Sequence, residues 1–146
     1  MTESDQSKQS HYKKNSLALI VTVFNEVENI AALLSSYSQQ QLLAEEVIIV
    51  DAGSTDGTWQ LLEHFVQDNP QLNYRLFQQE GNRSQGRNFA VQQSKSEWLA
   101  ITDAGCRLSP QWLAELRRVQ IRQQTRVVAG YYRGWSRTAL QEAMIP

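Results

Sequence analysis

An α/β fold with a largely parallel sheet is predicted for this chain by three observations. Short apolar runs alternate along the chain with stretches whose apolar residues recur at helical spacing. The clearest run, Val47-Ile48-Ile49-Val50, has no polar alternation, which suits a strand covered on both faces. Two such runs end in an acid and small residues, Asp51-Ala52-Gly53 and Asp103-Ala104-Gly105. Polar loops at the carboxyl ends of strands are where open α/β sheets hold ligands.

The elements follow in order. Leu17-Ala18-Leu19-Ile20-Val21-Thr22-Val23 reads as a buried first strand. Residues 26–40 carry Val27, Ile30, Ala31, Leu33, Leu34 and Tyr37 at helical spacing and predict an amphipathic helix. Residues 46–50 form the second strand. A second helix over 58–66 has Trp59, Leu62, Phe65 and Val66 on one face and is stopped by Asp68-Asn69-Pro70. Residues 73–77 set Tyr74 and Leu76 against Arg75 and predict a short third strand. A helix over 84–94 and a fourth strand over 97–102 come next. Pro110 suits the first turn of a helix over 110–122, with Ser109 as its N-cap. Residues 126–132 predict a fifth strand and 138–144 a helical end. Alternating strands and helices imply right-handed crossovers between parallel strands.

Bulk properties narrow the function. The 146 residues fit one domain able to bury roughly 70% of its unfolded surface. A net charge of -1 argues against nucleic-acid binding by charge. Cys106 is the only cysteine, so the chain has no internal disulfide and no cysteine-rich zinc site, and a reducing compartment is the simpler reading. No apolar run approaches the ~20 residues of a membrane span. Residues 1–15 are almost wholly polar and read as a disordered tail before a domain over 16–146. The expectation is a soluble, cytoplasmic protein, with peripheral membrane association open for a longer form.

Several residues carry chemistry. Asp51 and Asp103, on strand ends read as neighbours, would make a small anionic or metal-binding crevice. Asp51 can accept hydrogen bonds from a nucleobase N–H or a ribose hydroxyl, while Asp56, just before a helix, suits opposition to its dipole. Phe24 can pack on a base, and Asn25 and Glu26 can bind its edge or the ribose. The plainer alternative makes Phe24 core and Asn25 a helix cap. Arg83 and Arg87 offer guanidinium forks suited to pyrophosphate at a helix start, or else a solvated helix face. His11, His64 and Cys106 have no partner spacing for metal or catalysis. Trp59, Trp98 and Trp112 read as core. Trp135, with Tyr131 and Tyr132, could line a sugar site.

Four ordered motifs resemble those of family 2 glycosyltransferases: Val21-Thr22-Val23-Phe24-Asn25-Glu26, Val50-Asp51-Ala52-Gly53-Ser54-Thr55-Asp56-Gly57-Thr58, Gly86-Arg87-Asn88 and Thr102-Asp103-Ala104-Gly105. The resemblance spans residues 17–132. It implies a Rossmann-like GT-A nucleotide-binding half and inverting transfer of sugar from a nucleotide diphospho-sugar to an acceptor hydroxyl. It also implies that Asp51 contacts the uracil or other base, with Phe24, Asn25 and Glu26 nearby and Arg83 and Arg87 lining the donor pocket.

At Asp103 the resemblance implies a ligand for Mg²⁺ or Mn²⁺ on the donor diphosphate, or a contact to the ribose. The family pattern is two acids one residue apart, and here Gly105 stands at the second. The family's usual proline near Phe24 is also missing. The general base of the family follows by about a hundred residues, so the resemblance places it outside this chain and implies a domain truncated at its C-terminus. An apolar face around Tyr131, Tyr132 and Trp135 would then invite self-association. Two rivals stand beside this reading. A non-catalytic nucleotide-binding or interaction module of the same fold is favoured by the single acid. An NAD-dependent oxidoreductase would need a glycine-rich turn after the first strand, and Val23-Phe24-Asn25-Glu26-Val27-Glu28 has no glycine.

Overall fold

The computed structural model describes residues 12–131, 133 and 134. Its elements alternate as β1 (Lys13–Val23), α1 (Ile30–Ser38), β2 (Glu46–Asp51), α2 (Thr58–Asp68), β3 (Tyr74–Gln78), α3 (Arg83–Gln93), β4 (Ser96–Asp103) and α4 (Trp112–Gln123). The four strands make one sheet in the order β3-β2-β1-β4, and every pairing is parallel. The predicted α/β class with a parallel sheet is therefore what the chain adopts. β1 is longer than its apolar run: it reaches back to Lys13, opposite Ser96, with an irregularity before Leu17.

The central strands are buried on both faces, as their unbroken apolar sequences require. Leu19, Val21 and Val23 of β1 and Val47 and Ile49 of β2 face one side, where they meet Ile30, Leu33, Leu34 and Tyr37 of α1 and Leu62 of α2. The alternate residues Ile20, Ile48 and Val50 meet Ala90 of α3 on the other side. Burial of each of these large aliphatic side chains contributes roughly 1.5–3 kcal/mol. Trp59, Trp98 and Trp112 pack against the first cluster as expected. β4 alternates buried and exposed positions, and Ile101 lies on its exposed side.

Two helices start later than their apolar periodicity suggests. Before α1, the amides of Glu26 and Val27 are taken by Thr58 Oγ1 and Asp56 Oδ2, residues 27–29 form a turn, and regular helix begins at Ile30. Before α4, the carbonyls of Ser109 and Pro110 accept from the Gln40 side chain and the Gln41 amide. That segment is held to the end of α1, and the helix opens at Trp112.

The chain divides into two compact units, residues 1–113 and 114–146. In the second, Arg118 pairs with Glu115 within α4 at 2.5 Å. The fifth strand expected over residues 126–132 is not formed by the described residues 126–131. Their β-prone side chains lack a strand partner. Val127 donates its amide to Thr125 Oγ1 instead, and its side chain is exposed. Tyr131 is exposed, while Tyr132, Trp135 and the helix expected over 138–144 lie outside the described residues.

Candidate functional site

The first and second βα loops are stitched together at the carboxyl ends of β1 and β2. Asn25 takes a left-handed backbone, φ 51, which its short polar side chain tolerates. Its amide donates to Ser54 Oγ at 2.8 Å, and its Oδ1 accepts from the Thr55 amide at 2.9 Å. Asn25 is therefore not the cap of α1; that position is Asn29, whose side chain donates to Glu26 Oε2 at 2.8 Å. Asp56 accepts from the Thr58 amide and hydroxyl and from the Val27 amide. The Thr58 hydroxyl bond, with the Val27 and Thr58 amides, holds the Asp56 carboxyl below its ordinary range against a smaller opposing effect of burial. Its role at the start of α2 is the one its position suggested.

Asp51 ends β2 fully buried and accepts from the Ser54 amide, at 3.1 and 3.2 Å to its two oxygens, and from the Ser54 hydroxyl at 2.5 Å. Phe24, by contrast, is 57% exposed and is not core. An aromatic face is thus open at the end of β1, beside a buried carboxylate held in place by its own loop.

The second acid is not on a neighbouring strand. Asp51 pairs with Val23 and Asp103 with Thr22, so the two acids flank β1 from opposite sides. Two strand spacings put their backbones about 9–10 Å apart. They do not form the compact crevice that neighbouring strand ends would. They can instead mark two ends of an elongated ligand.

Asp103 is met by α3. Arg87 Nη2 donates to Asp103 Oδ1 at 2.5 Å, and Arg83 Nη1 lies 3.8 Å from Oδ2. The two arginines stand one helical turn apart and so project from one face. Their positions depend on the local sequence in two ways. Asn82 and Gln85 form a reciprocal capping box that sets the start of α3. Gly86 lets the helix approach the sheet, since a Cβ there would lie 3.2 Å from Thr22 Cγ2.

The expected Mg²⁺ or Mn²⁺ ligand set is not what these side chains supply. Among the described residues no three His, Cys, Asp or Glu side chains gather as a metal site. Asp103, the acid that ends β4, is paired with two guanidiniums. Gly105 contributes no side chain, and a Cβ there would touch nothing within 4 Å. Such ions draw most of their oxygens from water and phosphate and need only one or two carboxylates from the protein. Here that carboxylate is already paired with two arginines and no second acid stands at Gly105, so these side chains as arranged do not fit one.

Three participants escaped the sequence reading. Ser54 anchors Asp51; the Asn82-x-x-Gln85 spacing could have revealed the capping box; and Glu46 is a buried hub at the opposite end of the sheet. Glu46 accepts from the Ser94 and Ser96 hydroxyls, the Lys95 amide and Arg75, tying β2, β3 and β4 to the end of α3. Burial acts to raise its pKa, but those hydrogen bonds together outweigh it and hold the carboxyl below its ordinary value.

Comparison with known proteins gives this geometry a lineage. The chain is 31% identical over 99 residues to glycosyltransferase AglE of Haloferax volcanii, covering 66% of this chain and 33% of that protein. Its structure resembles S. aureus TarS 1-349 in complex with UDP-GlcNAc, with a TM-score of 0.64 and 26% identity over 75% of this chain and 32% of that one. It also resembles the mannosyltransferase PcManGT of Pyrobaculum calidifontis in complex with GDP-Man and Mn²⁺, with a TM-score of 0.66 and 26% identity over 71% and 32% of the two chains. The chain covers 33% and 30% of the length of the first two curated relatives it matches. No helix among the described residues is long and apolar enough to cross a membrane. The model of glycosyl transferase family 2 matches residues 18–141, and the chain belongs to that family.

Proposed function

We propose that this chain binds a nucleotide diphospho-sugar and forms the donor half of an inverting glycosyltransferase. The observation that carries the proposal is the pair of acids flanking β1, one beside an exposed aromatic and the other beside two arginines. The spacing suits a nucleoside diphosphate laid across the carboxyl end of the sheet. Phe24 would pack on the base, and Asp51 would accept its N–H through lone pairs that Ser54 leaves free. Asn25 and Glu26 would lie along the ribose, and Arg83 and Arg87 would neutralise the diphosphate leaving group. The UDP-GlcNAc and GDP-Man complexes of the structural neighbours support this ligand class.

Neither acid serves as the general base. Asp51 is given to the base N–H and Asp103 to the guanidiniums, and so neither of them is assigned the acceptor's proton. For that reason a nucleotide-binding module without turnover remains the second reading. The Mn²⁺ of the mannosyltransferase neighbour would find Asp103 already paired with the two arginines here.

Titration calorimetry with UDP, UDP-GlcNAc, GDP and GDP-mannose tests the reading. Saturable binding of at least one nucleotide, weakened by Asp51→Ala, is expected. The reading fails if the folded chain binds none. A donor-consumption assay with an acceptor panel separates the enzyme from the binding module.

A further inference from the structure

We infer that Arg83 and Arg87 hold the donor diphosphate directly, without a divalent ion, and that Asp103 is their resident counter-anion, displaced when the diphosphate arrives. The inference rests on the nucleotide-sugar reading above and concerns how that site handles charge.

Two guanidiniums converge on one carboxylate, leaving an excess positive charge at this end of the sheet. The cluster is accessible: the side chains of Arg83, Arg87 and Asp103 are 68%, 35% and 40% exposed. Within it, Arg87 Nε is buried and has no acceptor. A buried guanidinium N–H without a partner is costly, and a phosphate oxygen would supply the missing acceptor once the side chain turns from Asp103 toward the ligand. Asp103 satisfies part of the arginine pair but cannot satisfy all of it. A diphosphate brings more oxygens and more charge to the same donors, in the bidentate geometry that guanidinium favours.

The same arrangement opposes a cation. An ion on Asp103 would sit beside the two guanidiniums already there and be repelled by both. The position where a second acid would offset that repulsion is Gly105. Arginine thus takes over the charge neutralisation that an ion would supply. Asp103, read as a metal ligand, would strengthen donor binding; read as a competing anion, it weakens it. The two readings predict opposite signs for one substitution.

The experiment is calorimetric titration of UDP, GDP and uridine in excess EDTA and again in Mn²⁺, on the parent chain, Asp103→Asn, Arg87→Gln and Arg87→Lys. The expected result is that UDP or GDP binds in EDTA with little gain from Mn²⁺. Arg87→Gln should cost about ten- to a hundredfold, as for a lost charge-assisted bond, with Arg87→Lys intermediate and uridine unaffected. Asp103→Asn should raise nucleotide affinity in EDTA. Thermal unfolding of each variant confirms that it is folded, and the parent comparison in EDTA and Mn²⁺ stands even if one is not. Nucleotide binding that requires Mn²⁺, or that falls in EDTA on Asp103→Asn, overturns this inference and leaves the donor-site reading intact. No nucleotide binding under either condition overturns both.

Discussion

Arg87 reaches from the second turn of α3 to donate to Asp103 at the end of β4, and that contact joins the helix to the strand next to β1. The contact is half-exposed, so its own contribution to stability is at most about 1 kcal/mol. Its importance is positional. It sets a pair of cations at one end of a surface whose other end holds Phe24 and Asp51, and this separation is what suits a diphosphate attached to a base.

Asp51 is expected to matter for both binding and folding, in separable amounts. Loss of its acceptor for a base N–H should weaken UDP or GDP binding by about 1.5–3 kcal/mol in Asp51→Ala. The loop contact to Ser54 predicts a second effect, a lower melting temperature. Ser54→Ala should reproduce much of the stability loss with a smaller effect on affinity. If both variants lose affinity equally, Asp51 acts only by shaping the loop. Calorimetry and thermal melts on the two variants decide it.

Glu46 is expected to contribute to the acid limit of stability. Its folded carboxyl titrates below the ordinary 4.5. A depressed acid adds stability that is fully present above its unfolded value and is lost as pH falls from there through the folded value. Glu46→Gln should cost roughly 1.5–3 kcal/mol at neutral pH, the range for hydrogen bonds to a charged group. Below pH 4.5 the gap between variant and parent should narrow. Melting temperatures from pH 7 down to 3 read this directly; parallel curves would mean that Glu46 does not carry the dependence.

The parallel sheet was legible because β1 and β2 are covered on both faces, which leaves unbroken apolar runs that end abruptly at the site. Asp51 and Asp103 were legible for the same reason, as acids following such runs. Their separation was not. Strand order places β1 between them, and order depends on crossovers that no local pattern encodes. Glu46 opens its strand and resembles a solvent boundary residue; only folding brings Ser94, Ser96 and Arg75 around it. The error at residues 126–132 has the opposite origin, since β-propensity there describes side chains but cannot provide a neighbouring strand. The Phe24 alternatives turned on exposure, which periodicity does not reveal at the end of a strand.

Gly86 is expected to limit how far α3 can rise from the sheet. Alanine gains about 0.8–1 kcal/mol of helix propensity over glycine, which opposes the squeeze against Thr22 Cγ2, so Gly86→Ala should change stability little. Valine adds branches with Val50 Cγ1 also close, at 3.6 Å from the Cβ position. Overpacking of this kind costs about 1–3 kcal/mol. Gly86→Val should therefore lower the melting temperature and weaken diphosphate binding together, because Arg87 moves with the helix. Unchanged stability in the valine variant would show that the helix–sheet contact yields freely.

Asn25 allows backbone conformation and side-chain bonding to be tested apart. Its φ of 51 costs most residues about 1–2 kcal/mol, and its Oδ1 separately holds the Thr55 amide. Asn25→Gly keeps the conformation and loses the bond; Asn25→Ala loses both. Asn25→Asp keeps an acceptor for Thr55 and adds negative charge beside the proposed ribose. The stability order should be parent, then glycine, then alanine, with alanine lower than glycine by about the left-handed penalty. Aspartate should stay near the parent in stability but bind nucleotide more weakly through its charge. Thermal melts give the order and calorimetry with UDP or GDP gives the affinities. If alanine is as stable as glycine, the left-handed turn is not what asparagine is kept for. If aspartate binds nucleotide as well as the parent does, Asn25 lies away from the ligand and serves only to join the two loops.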